Sequence, residues 1–470
     1  MQKNWLAMMA LVTASWAHAA CIDASRPLSV EEQRLANTVV PGGEAFSAQI
    51  LRASGFDQYG PAFASALCQQ PSFAAADQFI RHSGIALWQA ALDRVQGRAV
   101  RGDLPHGDDR MLYWSRLQLT AAVRQWQPGF KLSEAQRGQL LWTLERASRG
   151  QFSIQFPSGA QYRRIIVSGF DPFTLGKPGS ADAHVRIGNP SGALALALNG
   201  RQITLSDGSI AVIQTYLLPV NYQPFRQGMQ EHTLLPFMRG PNAVQASITV
   251  SQGGKGEFWI EQWHGRYHAT HFADNLGEII PPLLAHQGDS DIYPPSDVLG
   301  YNAKPWQQNQ PPQWLGTSLP VAAMINAHTG AGIANPYAGG FEGFPVLWHT
   351  SFSAFADCNA NTITHFNEKQ GGPYPPVNAP AIPAPDSCAQ SGGGGNYLSN
   401  ESGYRNVLLR EIHNPKMRAG HLHVPVMTVF DPQDSSAMTD AIFEQYRDSV
   451  VLQSTRLIEA IAQSLVKPAL

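Results

Sequence analysis

The stretch Arg163-Arg164-Ile165-Ile166-Val167-Ser168-Gly169, following Tyr162, is where the chain changes character. Its uninterrupted apolar centre, closed by a glycine, reads as a short buried strand that ends at a turn. Similar runs follow at Ile210 to Leu218 and Ala246 to Val250. Helix-like stretches at Ala193 to Leu198 and Gln227 to Met238 separate them. Strands alternating with helices predict a three-layer α/β/α fold around a mixed, twisted sheet. The last segment, Asp440 to Leu465, sets Ile442, Tyr446, Val450, Leu457 and Ile461 on one side of a helix that can cover such a sheet.

Upstream of this region, from Ser29 to about Gly150, the pattern is helical. Ser29-Val30-Glu31-Glu32 and Ser133-Glu134-Ala135-Gln136 have the spacing of capping boxes, so each is expected to open a helix. Phe79, Ile80, Leu87, Trp88, Leu92 and Val95 recur at near-helical spacing, as do Leu112, Leu119, Val123 and Trp126, and read as a packed core. A smaller α-helical domain over residues 20–155 is therefore expected before an α/β/α domain over 156–470. Long insertions rich in Pro, Gly and Asn interrupt the second domain at about 174–188, 294–313 and 331–390, and read as ordered loops or lids.

The chain of 470 residues is 43% hydrophobic and 14% charged, enough to bury two cores. Thirty-three Lys and Arg against 35 Asp and Glu give a formal charge of -2, and no basic face suggests a nucleic-acid partner. Residues 1–19 carry Lys3, an apolar run from Leu6 to Ala14, and Ala17-His18-Ala19, the layout of a cleaved secretory signal. A periplasmic or secreted location follows. Acylation of Cys21 is the alternative, although His18 stands where a lipobox wants Leu. No later run reaches the roughly 18 apolar residues of a membrane span, so no stable membrane insertion is expected after signal cleavage. The even set Cys21, Cys68, Cys358 and Cys388 favours disulfides in an exported chain. Of the three connectivities, the sequence-local pairs 21 with 68 and 358 with 388 are expected, one reduced pair being the alternative.

Seven short motifs then occur in order: Gly169-Phe170-Asp171-Pro172-Phe173, Asn189-Pro190-Ser191, Leu218-Pro219-Val220, and Gly253-Gly254 seven residues before Glu261, with Asp274-Asn275 beyond; then Thr317-Ser318-Leu319-Pro320, Gly395-Asn396-Tyr397-Leu398-Ser399-Asn400-Glu401, and His421-Leu422-His423-Val424-Pro425. Together they resemble the pyroglutamyl peptidase I family over residues 162–465. The resemblance implies Glu261 and His423 as catalytic residues, with Ser399 where the family carries its nucleophilic cysteine. It also implies a small peptide substrate with an N-terminal pyroglutamate, whose flat lactam would meet Phe170, Phe173, Tyr397, Leu398 and the polar Asn189. His271 stands where the family has an Arg or Lys near the oxyanion.

The residues carry the same chemistry when read alone. A turn at Gly392 to Gly395 leads into an apparent helix near Ser399, where free backbone N–H groups could stabilise an oxyanion. His423 could accept the hydroxyl proton, and Glu261 could hold the imidazole's tautomer. Taken singly, each has another reading: Ser399 as a helix N-cap, His423 as a satisfied core histidine, Glu261 as a solvated loop carboxylate. A thiol, with a pKa of about 8.5, can be held as thiolate beside an imidazolium, whereas a serine must lose its proton during attack. Serine also escapes oxidation in an exported protein. Two readings follow: a Ser399-dependent hydrolase, or an inactive relative that binds capped peptides. His264, His268 and His271 have a zinc-like spacing, but Gly265 argues against the helix they would need, and neither metal nor cofactor is expected. The glycine run lacks the Gly-Lys-Ser/Thr of a phosphate loop.

Overall fold

The computed structural model describes residues 21–266, 272–279, 312–367, 374–434 and 436–466. The signal-like residues 1–19 and nearly all of the 294–313 insertion lie outside them. The chain divides into two compact units, the first made of the chain up to Ser153 with Thr174–Ile187 and Pro432–Asp440, the second of Ile154–Phe173, Gly188–Asp431 and the chain from Ala441.

The first unit contains α1 (Phe46–Ser54), α2 (Tyr59–Leu67), α3 (Phe73–Val95), α4 (Arg110–Gln125) and α5 (Glu134–Ala147). Helix α4 is its axis, buried along almost its whole length. Helix α3 approaches α5 at Gly84, where an added Cβ would stand 2.6 Å from that of Ala147. Ser133 caps α5 in the expected reciprocal box with Gln136. Ser29 exchanges the same bonds with Glu32, at 2.8 and 3.1 Å, yet only a 3-10 turn at Glu32–Ala36 follows, not the expected helix. The helix potential is spent there because Asn37 turns extended and Pro41 follows a few residues later. The insertion at 174–188 is bound into this unit rather than free: Asn37 donates to the Leu175 carbonyl, and Arg110, paired with Asp108 at 2.6 Å, donates to the Arg186 carbonyl.

The second unit is a three-layer α/β/α structure. Its elements are β1 (Tyr162–Phe170), α6 (Pro190–Leu198), β2 (Gln202–Thr204), β3 (Ile210–Leu218), α7 (Tyr222–Arg226), α8 (Met229–Leu234), β4 (Ala246–Gln252), β5 (Phe258–Glu261), β6 (Trp263–Gly265), β7 (Trp314–Gly316), α9 (Val321–Asn326), β8 (Val346–His349), β9 (Phe352–Phe355), β10 (Ile363–Phe366), β11 (Cys388–Ser391), α10 (Leu398–His413), β12 (Arg418–Val424) and α11 (Ala441–Gln463). Seven strands form one sheet in the order β2-β3-β1-β4-β12-β5-β8. The sheet is mixed, because β2 runs antiparallel to β3 and β5 antiparallel to β12, while the other pairs are parallel. The single helix expected at Gln227 to Met238 is broken into α8 and a 3-10 turn, since Pro236 cannot supply a backbone donor.

Strand alternation decides what each face carries. Ile248, Val250, Phe258, Ile260, Leu422 and Val424 point to one face and pack under α6 and α11. The intervening residues Thr249, Ser251, Trp259, Glu261, His421 and His423 therefore point to the other, where α10 lies. Gly403 lets α10 approach, as a Cβ there would meet His264 Nδ1 at 2.7 Å.

The 331–390 insertion is more structured than its composition suggests. It supplies β8, the edge of the main sheet, and the three-stranded sheet β10-β9-β11. Both sequence-local disulfides form, Cys21–Cys68 and Cys358–Cys388. No helix of the described residues is long and apolar enough to cross a membrane. Because Cys21 and Cys68 close a span of 47 residues, replacing both by Ala is expected to remove about 2–4 kcal/mol of stability. Urea unfolding checks this, and an unchanged midpoint would contradict the pairing.

Candidate active site

Glu261 ends β5 and is wholly buried. A carboxylate without water needs charged or donating partners, and two histidines supply them. Register puts His349 of β8 directly beside it, and the antiparallel pairing of Trp259 with His423 sets His423 on the diagonal. Oε1 receives His423 Nδ1 at 2.5 Å, and Oε2 receives His349 Nδ1 at 2.6 Å. Since an ionised carboxylate only accepts, both Nδ1 atoms carry hydrogen. The Nε2 of His423 is left to accept a proton, and it bonds no described residue.

Trp259 steadies both rings. It stacks on His349 with centroids 4.5 Å apart and an 8° tilt, and stands edge-on to His423 at 6.0 Å. Its own indole N–H is fixed by Glu257 at 2.7 Å. The turn before α10 closes over the carboxylate at Gly393, where a Cβ would lie 2.1 Å from Glu261 Oε2. No other residue type fits there.

Burial alone would raise the Glu261 pKa, but the charges and hydrogen bonds of His349 and His423 outweigh it and hold the carboxyl well below its usual range. Burial likewise opposes a charge on His349, but Glu261 overcomes it and raises the imidazole's pKa. Two further histidines on this face are neutral by burial: His421, bonded to Thr249 and Ser251 at 2.8 Å each, and His264, lowered to about 4.

Ser399 is the second residue of α10 and partly exposed. It is not the N-cap, a place taken by Tyr397. The turn before it is closed by reciprocal bonds between Gly392 and Gly395, and Asn400 anchors the helix start by bonding both the N–H and the carbonyl of Gly265, at 3.0 and 2.6 Å. A Cβ on Gly394 would lie 3.5 Å from the Ser399 carbonyl carbon, so the loop that touches Glu261 leads directly to Ser399. The N–H groups of Leu398, Ser399 and Asn400 have no acceptor within the helix, as in any first turn. Among the described residues, Ser399 Oγ makes no hydrogen bond to His423.

The expected pocket residues divide. Phe173 and Tyr397 face each other at 5.4 Å, and Tyr397 also meets Phe272 at 5.7 Å and Tyr222 at 5.8 Å. Phe272 is 44% exposed, so this group forms an aromatic wall open to solvent. Phe170, 3% exposed, instead stacks on Phe225, and Leu398 is buried in the same core. Asn189 is committed to the backbone, capping Ser191 N–H at 3.1 Å and donating to the Asp171 carbonyl at 2.9 Å. These three, expected to meet the substrate, are instead committed to core packing and to capping. Asp274 accepts from the N–H groups of Tyr222, Leu276 and Glu278, and Asn275 donates to Pro172, so this pair ties the aromatic loops together. His268 and His271 lie outside the described residues. No motif in the sequence marks His349, Trp259, Tyr222 or Phe272 as part of a site; the signal for His349 is its place at the end of the short run Val346-Leu347-Trp348.

The fold and this face define an open α/β/α protein with a histidine–carboxylate centre at the carboxyl edge of its sheet. Two family models match the chain, that of the PA0049 C-terminal domain over residues 164–428 and that of the PA0049 N-terminal domain over residues 13–145. The uncharacterized protein PA0049 of Pseudomonas aeruginosa is 42% identical, over 94% of this chain and 90% of its own length. The chain belongs to the PA0049 family. Among solved structures, a mutant pyrrolidone carboxyl peptidase from Pyrococcus furiosus aligns at 17% identity and a TM-score of 0.35, covering 64% of this chain and 100% of its own. Pyroglutamyl peptidase I from Bacillus amyloliquefaciens aligns at 17% identity and a TM-score of 0.33, over 64% and 97%.

The opposite pKa directions fix a stability prediction. A raised His349 contributes stability that is complete below its unfolded value and lost as pH rises through the folded value; a lowered Glu261 contributes above its own unfolded value and fades in acid. Their joint contribution is largest between about pH 4.5 and 6.5. Thermal midpoints should therefore fall as pH rises above this window, and His349→Gln should flatten that fall. An equal pH dependence in the variant would contradict the pairing.

Proposed function

We propose that the chain is an exported hydrolase that removes N-terminal pyroglutamate, or cleaves a related small amide, with Ser399 as nucleophile. The observation that carries this reading is the buried Glu261 bonded to His423 Nδ1, with Nε2 free, beside the turn that delivers Ser399. In attack on the scissile carbonyl, Ser399 Oγ forms the new C–O bond while His423 Nε2 takes the hydroxyl proton. Glu261 stabilises the imidazolium that results. First-turn N–H groups of α10 are suited to receive the oxyanion, and His423 then returns its proton to the leaving amine. Water repeats the cycle on the acyl-enzyme and releases pyroglutamate.

The aromatic wall of Phe173, Tyr397 and Phe272 suits a flat lactam ring. Export is supported by the two disulfides, which persist in oxidising compartments, and by the signal-like layout of residues 1–19. A second reading, binding of capped peptides without cleavage, is favoured by the absent bond between Ser399 and His423. Such catalytic bonds commonly tighten only when substrate arrives.

Purified mature protein is expected to release the amine from a pyroglutamyl amide and to be labelled by a fluorophosphonate at Ser399. Ser399→Ala should abolish both, and His423→Ala should lower kcat by about 10²–10⁴. Folded protein that shows neither turnover nor label, but gives saturable heat with an intact pyroglutamyl peptide in calorimetry, would establish the binding reading instead.

A further inference from the structure

A Glu–His pair needs one histidine, and this site has two. The carboxylate of Glu261 has each oxygen taken by a different imidazole, at 2.5 Å from His423 and 2.6 Å from His349. We propose that His349 is a positioning residue for Glu261: by holding Oε2 it turns Oε1 toward His423 Nδ1, and when protonated it draws the carboxylate's charge away from His423. The inference rests on the hydrolase reading for its effect on rate, but not for its geometry.

Three features hold His349 to this task. Parallel pairing of β5 with β8 sets His349 beside Glu261, so backbone register rather than side-chain chance fixes the contact. Trp259 lies flat on the ring and prevents it from rotating away. Gly393 covers the carboxylate so closely that Oε2 has no room to swing toward solvent. A carboxylate in this cage has its plane determined from both ends, which is what a base-orienting group requires.

The charged and titratable neighbours of His349 come from several elements. Glu261 faces it from β5, Glu257 from the turn before β5, and the main chain of Gly393 from the turn before α10. His423 lies beyond the shared carboxylate on β12, with His421 and His264 on its far side. Among the described residues, Glu261 is the one carboxylate that hydrogen-bonds both rings. A proton on His349 thus competes with the charge that develops on His423 during attack, and this competition acts against turnover in acid. The native rate should therefore fall as pH drops through the range in which His349, raised by Glu261, takes up its proton.

Two variants separate positioning from charge. His349→Ala removes the holder and should lower kcat by about 10- to 100-fold with little change in KM. His349→Asn places an amide N–H at the position of Nδ1 without the titration; it should recover most of the rate at pH 8 and show a shallower acid limb than the native protein. A native acid limb in the Asn variant, or native kcat in the Ala variant, overturns the proposal. Where the Ala variant does not fold, the Asn variant decides. A proton NMR measurement needs no turnover: the low-field resonance of the hydrogen between His423 and Glu261 should broaden in His349→Ala through faster exchange with water. If the native protein hydrolyses nothing, the hydrolase reading fails, yet this resonance still tests His349. An unchanged resonance in a folded variant sinks the role assigned to it.

Discussion

The site depends on one constraint: the Glu261 carboxylate is charged and has no contact with water. An ion of this kind is stable only when its oxygens meet donors and opposite charge is close. The neighbouring sequence answers that need in detail. His423 and His349 supply donors from two strands, Trp259 restrains both rings, and Gly393 is small enough to seal the top. Replacing any of them would leave the carboxylate either under-compensated or displaced.

The same constraint explains why the sheet has two unlike faces. Period-2 alternation sends Ile248, Val250, Ile260, Leu422 and Val424 to the apolar layer beneath α6 and α11. It sends Thr249, Ser251, Glu261, His421 and His423 to the other layer. There α10 must accommodate polar side chains, and it does so with Asn406, bonded to Ser247, and with Gly403 over His264. The helix that covers this polar face also begins at its open edge, so the first turn carrying Ser399 and the buried His423–Glu261 pair are parts of one packing arrangement.

Much of this was legible in the sequence because it is local. Strand β1 and its turn, the capping box at Ser133, α11 and both disulfides rest on short-range patterns. Glu261 and His423 were legible through motifs. What escaped was register. Nothing in the composition of the 331–390 insertion reveals that Val346–His349 pairs with β5, and without that pairing His349 cannot be placed beside Glu261. Burial was the other blind spot: Phe170, Leu398 and Asn189 sit at motif positions, but their side chains serve packing and capping, while Phe173 and Tyr397 reach the exposed wall. The capping box at Ser29 shows the same limit, since a formed box did not guarantee a helix behind it.

Whether Ser399 uses this base is the centre of the account. The most direct measurement is mass spectrometry of the protein, acid-quenched within its first turnovers on an activated pyroglutamyl ester and then digested. A pyroglutamyl group is expected on the peptide containing Ser399, and it should be absent when His423 is replaced by Ala. Product release with no adduct on that peptide, or an adduct on another residue, would contradict it.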